Sequence, residues 1–349
     1  MQINTAILSF GMSGKLFHAP FIQVHPELNL YGVWERSRQL AHEIYPGIHS
    51  FPTLEDLLSD PAIELVVVNT PNYTHYEYTK KALLAGKHVV VEKPFTTSVE
   101  EGKELIELAK QQQKVLSVYQ NRRFDSDFKI VRKVVEEGQL GNIVEVEMHY
   151  DRYREELSPK LHKETPGPGT GALYDLGSHL IDQALQLFGE PAAVFGDIRI
   201  LSPLSKVDDY FELLLFYPDL RVRLHTSYLV KEPLPAYILH GTAGSFIKAK
   251  TDVQEQALMN GEKPGSEIWG AEPESEKGLL HIEKDGKDHK EYLTSANGNY
   301  LEYYNGIAMA IREHEKPPVT AEQGLAVIKI IEAAYKSSRE RIVVDMDWK

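Results

Sequence analysis

The stretch VVVEKPF at residues 89–95 decides the fold, because an apolar run leads into a charged pair and stops at a proline. Its three valines are β-branched and suit a strand that is buried on both faces of a sheet. Pro94 lacks an N–H for a strand ladder and biases Lys93 towards an extended conformation. The pattern therefore places Glu92 and Lys93 at the carboxyl end of an inner strand, where open α/β sheets bind ligands. Taken alone, a Lys-Pro pair is more typical of an exposed turn.

The length and composition of the chain bear on its number of domains, its cellular compartment and its binding partners. With 349 residues, 42% of them apolar and 26% charged, the chain is long enough for two domains with a sizeable core. A net charge of −13 argues against nucleic acid or an anionic membrane as a partner. The absence of cysteine excludes thiolate metal ligands and fits the cytoplasm. The first residues contain no basic segment or long apolar run, so we expect no signal peptide or membrane span.

In the first third of the chain, short apolar runs alternate with helical patterns. Strands are predicted at 3–9, 28–34, 65–69, 87–91 and 115–119, and helices at 16–24, 73–85 and 98–112. Strands that are separated by helices imply right-handed crossovers and a mostly parallel sheet. We therefore predict an α/β fold whose first domain, residues 1–122, is a Rossmann dinucleotide-binding domain.

A glycine turn follows the first strand and has the sequence Phe10-Gly11-Met12-Ser13-Gly14. It nearly matches the GxGxxG fingerprint, with Ser9 at the first glycine position and Glu35 about twenty residues beyond the glycines. Gly11 lets a pyrophosphate approach the backbone, Gly14 lets helix and strand pack closely, and the amides of the next helix favour a phosphate. The alternative is a glycine-rich turn that binds no ligand.

The residues after the second strand bear on the choice of cofactor. A carboxylate there hydrogen-bonds the ribose of NAD, whereas an arginine accommodates the 2′-phosphate of NADP. This chain has both, since Glu35 is followed by Arg36, Ser37 and Arg38. The two cations and the hydroxyl favour NADP, with NAD as the alternative. The two arginines would otherwise be solvated residues of the next helix.

Further cofactor candidates follow the other parallel strands, because their carboxyl ends meet at one edge of the sheet. They are Thr70, Pro71, Asn72, Glu92, Lys93 and Asn121. His75 lies one turn into its helix and could reach a ribose, although an isolated histidine there is more typical of a polar residue at a helix N-terminus.

After residue 123 the pattern changes to longer helices and alternating strands. Helices are predicted at 124–137, 173–188, 300–311 and 321–340, and strands at 142–150, 193–200, 210–216, 222–229 and 236–241. We predict that residues 123–349 form an α+β substrate and oligomerisation domain, with helices on one face of a mostly antiparallel open sheet. The second face of that sheet predicts a homodimer or a higher homo-oligomer.

Two polar residues of the predicted helix 173–188 form a candidate proton-transfer pair. Asp175 and His179 are four positions apart and so share one face. A carboxylate can orient an imidazole or stabilise its charge, and histidine titrates near neutral pH. The alternative is a surface Asp–His pair that only supports the helix.

The glycine turn, the Glu-Lys-Pro element and the Asp175–His179 pair occur in an order that closely resembles the Gfo/Idh/MocA oxidoreductases. The stretches 10–21, 119–123, 152–154 and 269–271 resemble the NADP-dependent scyllo-inositol dehydrogenase group of that family. The resemblance covers essentially the whole chain and departs from the family pattern at Ser9. It implies an enzyme that transfers a hydride between a nicotinamide cofactor and a secondary alcohol of a cyclic polyol or sugar.

The resemblance also implies a catalytic set, namely Lys93, Asp175 and His179. We expect His179 to accept the proton, Lys93 to stabilise the reacting oxygen and Asp175 to position His179 or the substrate; the first two roles could be exchanged. Candidates for substrate binding are Arg152, Tyr153, His162 and Trp269, and Trp269 could instead anchor its loop on the core. An aldose or keto sugar is the alternative substrate, and a non-catalytic cofactor-binding regulator is the alternative function. No metal site is expected.

Overall fold

The computed structural model describes residues 1–35 and 39–348. Two compact units are present. The first comprises Met1–Asn121, Gln254–Trp269 and Asn299–Ala326, and the second comprises Arg122–Val253, Gly270–Gly298 and the chain from Val327 onward. The domain boundary that we predict after residue 122 stays a prediction. Of the helices in the described ranges, none combines the length and the apolar character that a bilayer crossing requires.

The sheet of the first unit has six strands: β1 (Ile3–Ile7), β2 (Leu28–Trp34), β3 (His49–Phe51), β4 (Leu65–Val68), β5 (His88–Glu92) and β6 (Leu116–Tyr119). All neighbouring pairs are parallel and the spatial order is β3-β2-β1-β4-β5-β6, which confirms the predicted Rossmann sheet. All of β4 and the three valines of β5 are buried, which explains their unbroken apolar sequences. The strand order reverses between β1 and β4, where a doubly wound sheet binds its ligand.

The helices that cross between these strands are α1 (Ala19–Val24), α2 (Leu40–Ile44), α3 (Leu54–Ser59), α4 (His75–Leu84) and α5 (Val99–Gln111). Ser98 caps α5, because its hydroxyl accepts a hydrogen bond from the Glu101 amide at 3.3 Å. Gly86 lies just beyond α4 with a φ of +74°, a conformation that favours glycine at a helix end. The predicted helix 16–24 differs, because residues Gly14–His18 form a π-helical turn ahead of α1.

The sheet of the second unit has nine strands: β7 (Ile143–His149), β8 (Ala193–Arg199), β9 (Tyr210–Phe216), β10 (Arg221–Ser227), β11 (Tyr237–Gly241), β12 (Gly244–Lys248), β13 (Gly278–Lys284), β14 (Lys287–Leu293) and β15 (Val344–Asp345). Their order is β14-β13-β12-β11-β7-β10-β9-β8-β15. Of the described pairs, β7 with β10 is parallel and the others are antiparallel, as the mostly antiparallel prediction requires. Val146 and Leu224 are buried, whereas Glu147 and Arg223 are half-exposed, so one face of the sheet packs on the core.

The remaining helices are α6 (Ser126–Glu136), α7 (Leu161–Glu164), α8 (Ser178–Phe188), α9 (Val253–Met259), α10 (Leu301–Arg312) and α11 (Ala321–Glu340). The single helix that we predict over 173–188 is wrong in its first turn, because Leu173–Gly177 is π-helical. A Cβ on Gly177 would lie 2.6 Å from Leu173 Cδ1 and 3.2 Å from the Phe211 ring. Asp175 therefore lies in a wider turn than the regular i, i+4 geometry assumes.

Candidate active site

The glycine turn after β1 is built around Ser9, the residue that departs from the fingerprint. Its hydroxyl accepts a hydrogen bond from the Gly11 amide at 3.2 Å, and its carbonyl accepts one from Asn69 Nδ2 at 2.8 Å. A Cβ on Gly14 would lie 2.1 Å from the Ser9 carbonyl oxygen, so the turn cannot accept a side chain there. A Cβ on Gly11 would meet only the Ser9 hydroxyl, at 3.5 Å. The turn therefore has no room for a side chain at Gly14, where it packs on the strand, but it has room at Gly11.

A partly buried hydrogen-bond chain ties this turn to the end of β5. The Glu92 carboxylate accepts hydrogen bonds from the Ser13 hydroxyl and, at 2.9 Å, from His18 Nε2. His18 is fully buried, and its Nδ1 lies 2.6 Å from the Tyr304 hydroxyl. Because a carboxylate only accepts, His18 Nε2 donates to Glu92. Ser13 and Glu92, predicted from separate motifs, are therefore in contact.

The same chain keeps Glu92 ionised inside the fold. Burial opposes the charge of this carboxylate, but the hydrogen bond and the charge of His18, the hydrogen bond of Ser13 and the charge of Lys93 outweigh it and lower the pKa of Glu92 to about 2. A fixed negative charge therefore precedes Lys93 at the carboxyl end of β5. We did not predict His18 or Tyr304. His18 lies within the stretch 10–21, but Tyr304 contacts it from 286 residues away.

The Lys93–Pro94 segment is anchored by His75, which is fully buried. His75 Nδ1 lies 2.8 Å from the Pro94 carbonyl oxygen, and its Nε2 lies 2.9 Å from that of Thr70. Burial lowers the pKa of His75, and its hydrogen bond to Pro94 partly opposes the shift. Because both ring nitrogens contact backbone carbonyls, the structure favours a supporting role over contact with a ribose. The Lys93–Pro94 peptide bond is cis.

The other cofactor candidates of the first unit lie near strand ends. The Glu35 carboxylate accepts hydrogen bonds from the Leu40 and Ala41 amides at 3.0 and 3.2 Å, and so caps α2. Each carboxylate oxygen has a second lone pair, which leaves it able to accept another donor. Arg36 and Ser37 lie outside the described residues. The remaining candidates are half-buried (Thr70, Pro71 and Asn72), buried (Phe10 and Asn121) or exposed (Met12).

In the second unit, Asp175 and His179 have different surroundings. Asp175 Oδ2 lies 2.8 Å from the Lys163 ammonium of α7, an ion pair that we did not predict. His179 is 6% exposed and its ring centroid lies 6.4 Å from that of Tyr150. The side chain of His179 lines a small cavity whose other residues are Arg122, His149, Tyr150, Leu180, Gln183, Tyr237 and Lys250.

A half-buried cation lines the cavity beside His179. Lys250 Nζ lies 3.0 Å from one carboxylate oxygen of Asp125 and 3.0 Å from one of Asp127. Burial alone would lower the pKa of Lys250, but the two carboxylates outweigh it and raise that pKa well above its usual value. The ammonium also lies 5.4 Å from the centre of the Tyr150 ring. A cation therefore borders the His179 cavity, and the sequence alone contained no signal for it.

The four substrate-binding candidates lie in different environments. Arg152 lies 5.3 Å from the Tyr150 ring, and the exposed Tyr153 donates a hydrogen bond to Glu155 at 2.8 Å. His162 is an exposed residue of α7. Trp269 belongs to the first unit and is 6% exposed; its indole N–H donates to Gln254 at 3.1 Å. This burial favours the interpretation that Trp269 anchors its loop on the core.

Comparison with known proteins identifies the family. The family model for the NAD-binding Rossmann fold of the oxidoreductase family GFO_IDH_MocA matches residues 3–120, and that for its C-terminal alpha/beta domain matches residues 132–346. The chain belongs to the Gfo/Idh/MocA oxidoreductase family. This confirms the resemblance seen in the sequence.

Several members of the Gfo/Idh/MocA family are similar over their full length. Scyllo-inositol 2-dehydrogenase (NADP(+)) IolW of Bacillus subtilis is 41% identical over 345 residues, which cover 99% of this chain and 96% of that protein. D-glucoside 3-dehydrogenase of Escherichia coli is 23% identical, over 99% of this chain and 97% of the relative. The structure of the oxidoreductase yvaA of Bacillus subtilis has a TM-score of 0.95 and 41% identity, with 99% of both chains covered. An oxidoreductase of Bacteroides fragilis has a TM-score of 0.90 and 46% identity, over 99% of this chain and 100% of that one.

As a member of the Gfo/Idh/MocA family, the protein is an oxidoreductase with a nicotinamide dinucleotide cofactor and a small-molecule substrate. The turn at residues 10–14 fits such a cofactor, because it excludes a side chain at Gly14 and is open at Gly11. The carboxyl ends of β1, β4 and β5 carry the polar residues Ser13, Asn69 and Glu92 around that turn.

Proposed function

We propose that this protein is an NADP(H)-preferring dehydrogenase that interconverts a secondary alcohol and a ketone on a cyclic polyol, with scyllo-inositol and the corresponding inosose as the substrate pair. The observation that carries the proposal is the 41% identity to the NADP-dependent scyllo-inositol 2-dehydrogenase of Bacillus subtilis, which extends over 99% of this chain. The retention of Lys93, Asp175 and His179 supports catalysis and argues against the alternative of a non-catalytic regulator.

In this proposal the nicotinamide, when bound, accepts or returns the hydride. The amides of the glycine turn hold the pyrophosphate, while Glu35, Arg36 and Ser37 hold the adenosine ribose and its 2′-phosphate. The preference for NADP rests on Arg36 together with the cofactor of the Bacillus relative.

The protein residues move the proton and hold the reacting oxygen. His179 takes the hydroxyl proton during oxidation and returns it during reduction. Lys93 donates a hydrogen bond to the same oxygen and stabilises its developing negative charge. Asp175 positions the imidazole or a neighbouring substrate hydroxyl, and its ion pair with Lys163 restrains the carboxylate. Arg152, Tyr153 and His162 are proposed to bind the remaining hydroxyls.

A sugar substrate is the second candidate, and the similarity to D-glucoside 3-dehydrogenase over nearly the whole chain supports it. That enzyme is only 23% identical, so the polyol proposal takes precedence. The substrate classes are separated by initial rates with scyllo-inositol, myo-inositol, glucose and a methyl glucoside, each with NADP and NAD at equal concentration. We expect the highest kcat/KM with scyllo-inositol and NADP. A strong preference for glucose or the glucoside would overturn the substrate assignment, and a preference for NAD would overturn the role of Arg36.

A further inference from the structure

Three side chains of types that can bind a metal ion, two histidines and an aspartate, converge on the half-exposed face of the nine-stranded sheet. His149 at the end of β7 and His225 on β10 are direct cross-strand neighbours, and Asp151 follows His149 by two residues. One donor atom from each of the three lies within 4.8 Å of the other two. None of the three has a part in the proposed hydride transfer.

Asp151 lies between the two imidazoles. Its Oδ1 is 3.0 Å from His225 Nδ1, and its Oδ2 is 3.5 Å from His149 Nδ1. The Ser227 amide also donates to Oδ1 at 3.0 Å, which fixes the carboxylate. The side chains of Asp151 and His149 are 2% and 7% exposed, so the cluster is held inside the fold rather than on flexible surface residues.

The second ring nitrogen of His149 faces this carboxylate. His149 Nε2 lies 3.2 Å from Glu147 Oε2, and because a carboxylate only accepts, Nε2 carries the hydrogen. The other ring nitrogen, Nδ1, lies 3.5 Å from Asp151 Oδ2, an ion-pair distance, and makes no hydrogen bond within residues 1–35 and 39–348. Two acceptors that face each other in a buried place require a positive species between them. That species is either a proton on Nδ1 or a metal ion.

The arrangement of donors and the neighbouring groups are compatible with a metal ion. One Asp151 oxygen faces each imidazole, and the ligand atoms of the three side chains lie within 4.8 Å of one another, where donors to one tetrahedral zinc would be roughly 3.3 Å apart. Metal-bound histidines usually donate their second N–H to a carboxylate, as His149 does to Glu147. Arg223 contacts Glu147 and lies 3.1 Å from Glu212, so it holds these two carboxylates.

We propose that His149, Asp151 and His225 bind one divalent transition-metal ion, with zinc as the favoured ion. Two imidazoles and one carboxylate form a donor set that suits zinc and its first-row neighbours. His225 is 20% exposed in the single chain, which leaves the fourth position open to a water molecule or to a group of a second copy that covers this face. The ion would join β7 to β10, the parallel pair at the centre of this sheet, and would be structural.

Cobalt(II) is the probe that tests this site without measuring turnover. Full-length protein without a histidine tag is treated with a chelator, exchanged into metal-free buffer and titrated with cobalt(II) and then zinc. We expect the visible absorption of four-coordinate cobalt at one equivalent per chain, its loss on adding zinc, and a zinc-dependent rise in Tm. Absence of both the cobalt absorption and the rise in Tm would indicate that a proton, and not a metal ion, lies between His149 Nδ1 and Asp151. That result would overturn the proposal.

Matched variants assign the ligands. Asp151→Asn and His225→Asn each keep the side-chain size closely enough for folding to be checked by circular dichroism, and each should abolish the cobalt absorption. Glu147→Gln should weaken binding about 10- to 100-fold, because it orients a ligand without binding the ion. His281→Asn is the control, since His281 is another histidine of this sheet and faces Asp288 at 3.7 Å. Unchanged binding in both ligand variants, or equal loss in the control, would contradict the assignment.

Discussion

Lys93 directly follows Glu92, the last residue of β5, and its charge is the part of the proposed reaction that a single substitution tests best. We expect Lys93→Ala to lower kcat about 100- to 1,000-fold, because one donor to the developing oxyanion is lost. The affinity for NADP should change little. Steady-state rates with scyllo-inositol and NADP binding by titration calorimetry separate the two effects.

Lys103→Ala is the control for Lys93→Ala, because Lys103 is an exposed lysine of α5 and should leave both quantities unchanged. Full turnover in Lys93→Ala with normal cofactor binding would contradict the proposed mechanism. A parallel loss of cofactor binding would assign Lys93 to the cofactor site instead.

A second prediction concerns Glu92, because its pKa in the folded protein is about 2 against an ordinary value of 4.5. A lowered carboxyl pKa contributes stability that is present above pH 4.5 and is lost as the pH falls towards 2. The contribution is on the order of 3 kcal/mol, since each pKa unit corresponds to about 1.4 kcal/mol. We expect Glu92→Gln to be less stable than the wild type at pH 7 and to differ from it much less at pH 3.

Equilibrium urea unfolding at the two pH values measures this difference. Glu100→Gln is the matched control, since Glu100 is an exposed carboxylate in the first turn of α5. If the difference in unfolding free energy between wild type and Glu92→Gln is the same at both pH values, the hydrogen-bond chain from Ser13 to Tyr304 does not depend on the charge of Glu92.

Single residues also show how far sequence reasoning reached. Glu92 and Ser13 were predicted because each sits in a motif next to a strand end. Tyr304, Lys163 and Lys250 were not, because their roles arise from side chains that meet only in the fold. Tyr304 meets His18 from 286 residues away, and Lys250 meets Asp125 from 125. Arg36 lies outside the described residues, so its predicted role rests on the sequence alone.

At the scale of secondary structure, the turn between β1 and α1 carries the sharpest prediction. A Cβ on Gly14 would lie 2.1 Å from a backbone oxygen and 2.8 Å from Asn69 Nδ2, so the turn must shift. We expect Gly14→Ala to cost roughly 1–3 kcal/mol of stability, as overpacking does, and to weaken NADP binding at least tenfold. Urea unfolding and cofactor titration provide the two measurements.

Gly47→Ala is the control for this change, because a Cβ on Gly47 would meet nothing within 4 Å. It should leave cofactor binding unchanged. Wild-type cofactor affinity in Gly14→Ala would mean that the dinucleotide does not depend on the shape of this turn.

The elements that were predicted and those that were missed differ in burial. The strands β4 and β5 are buried throughout or nearly so, and their apolar runs are visible in the sequence. All residues of β14 except Leu293 are exposed, and its sequence KDHKEYL has no apolar alternation. The three-residue β3 is too short for a pattern. The π-helical turn at Leu173–Gly177 was missed because its residue spacing also fits a regular helix.

At the scale of the whole molecule, the half-exposed face of the nine-stranded sheet bears on assembly. Cross-strand pairs form a row from Phe195 through Leu214, Arg223 and Glu147 to Ile238. Phe195 is 37% exposed, and Leu214 and Ile238 are half-buried. Apolar residues at both ends of a charged centre suit a face that a second copy of the chain would cover.

We therefore expect the wild-type protein to sediment as a homodimer or a higher oligomer at micromolar concentration. A double variant, Phe195→Glu with Leu214→Glu, should sediment as a monomer, because two carboxylates would be buried without partners in the interface. The control is Leu201→Glu, a loop leucine that is 51% exposed and lies outside the row. Circular dichroism and NADP binding should be preserved in both variants. A monomeric wild type, or a double variant that assembles normally, would remove this face from the interface.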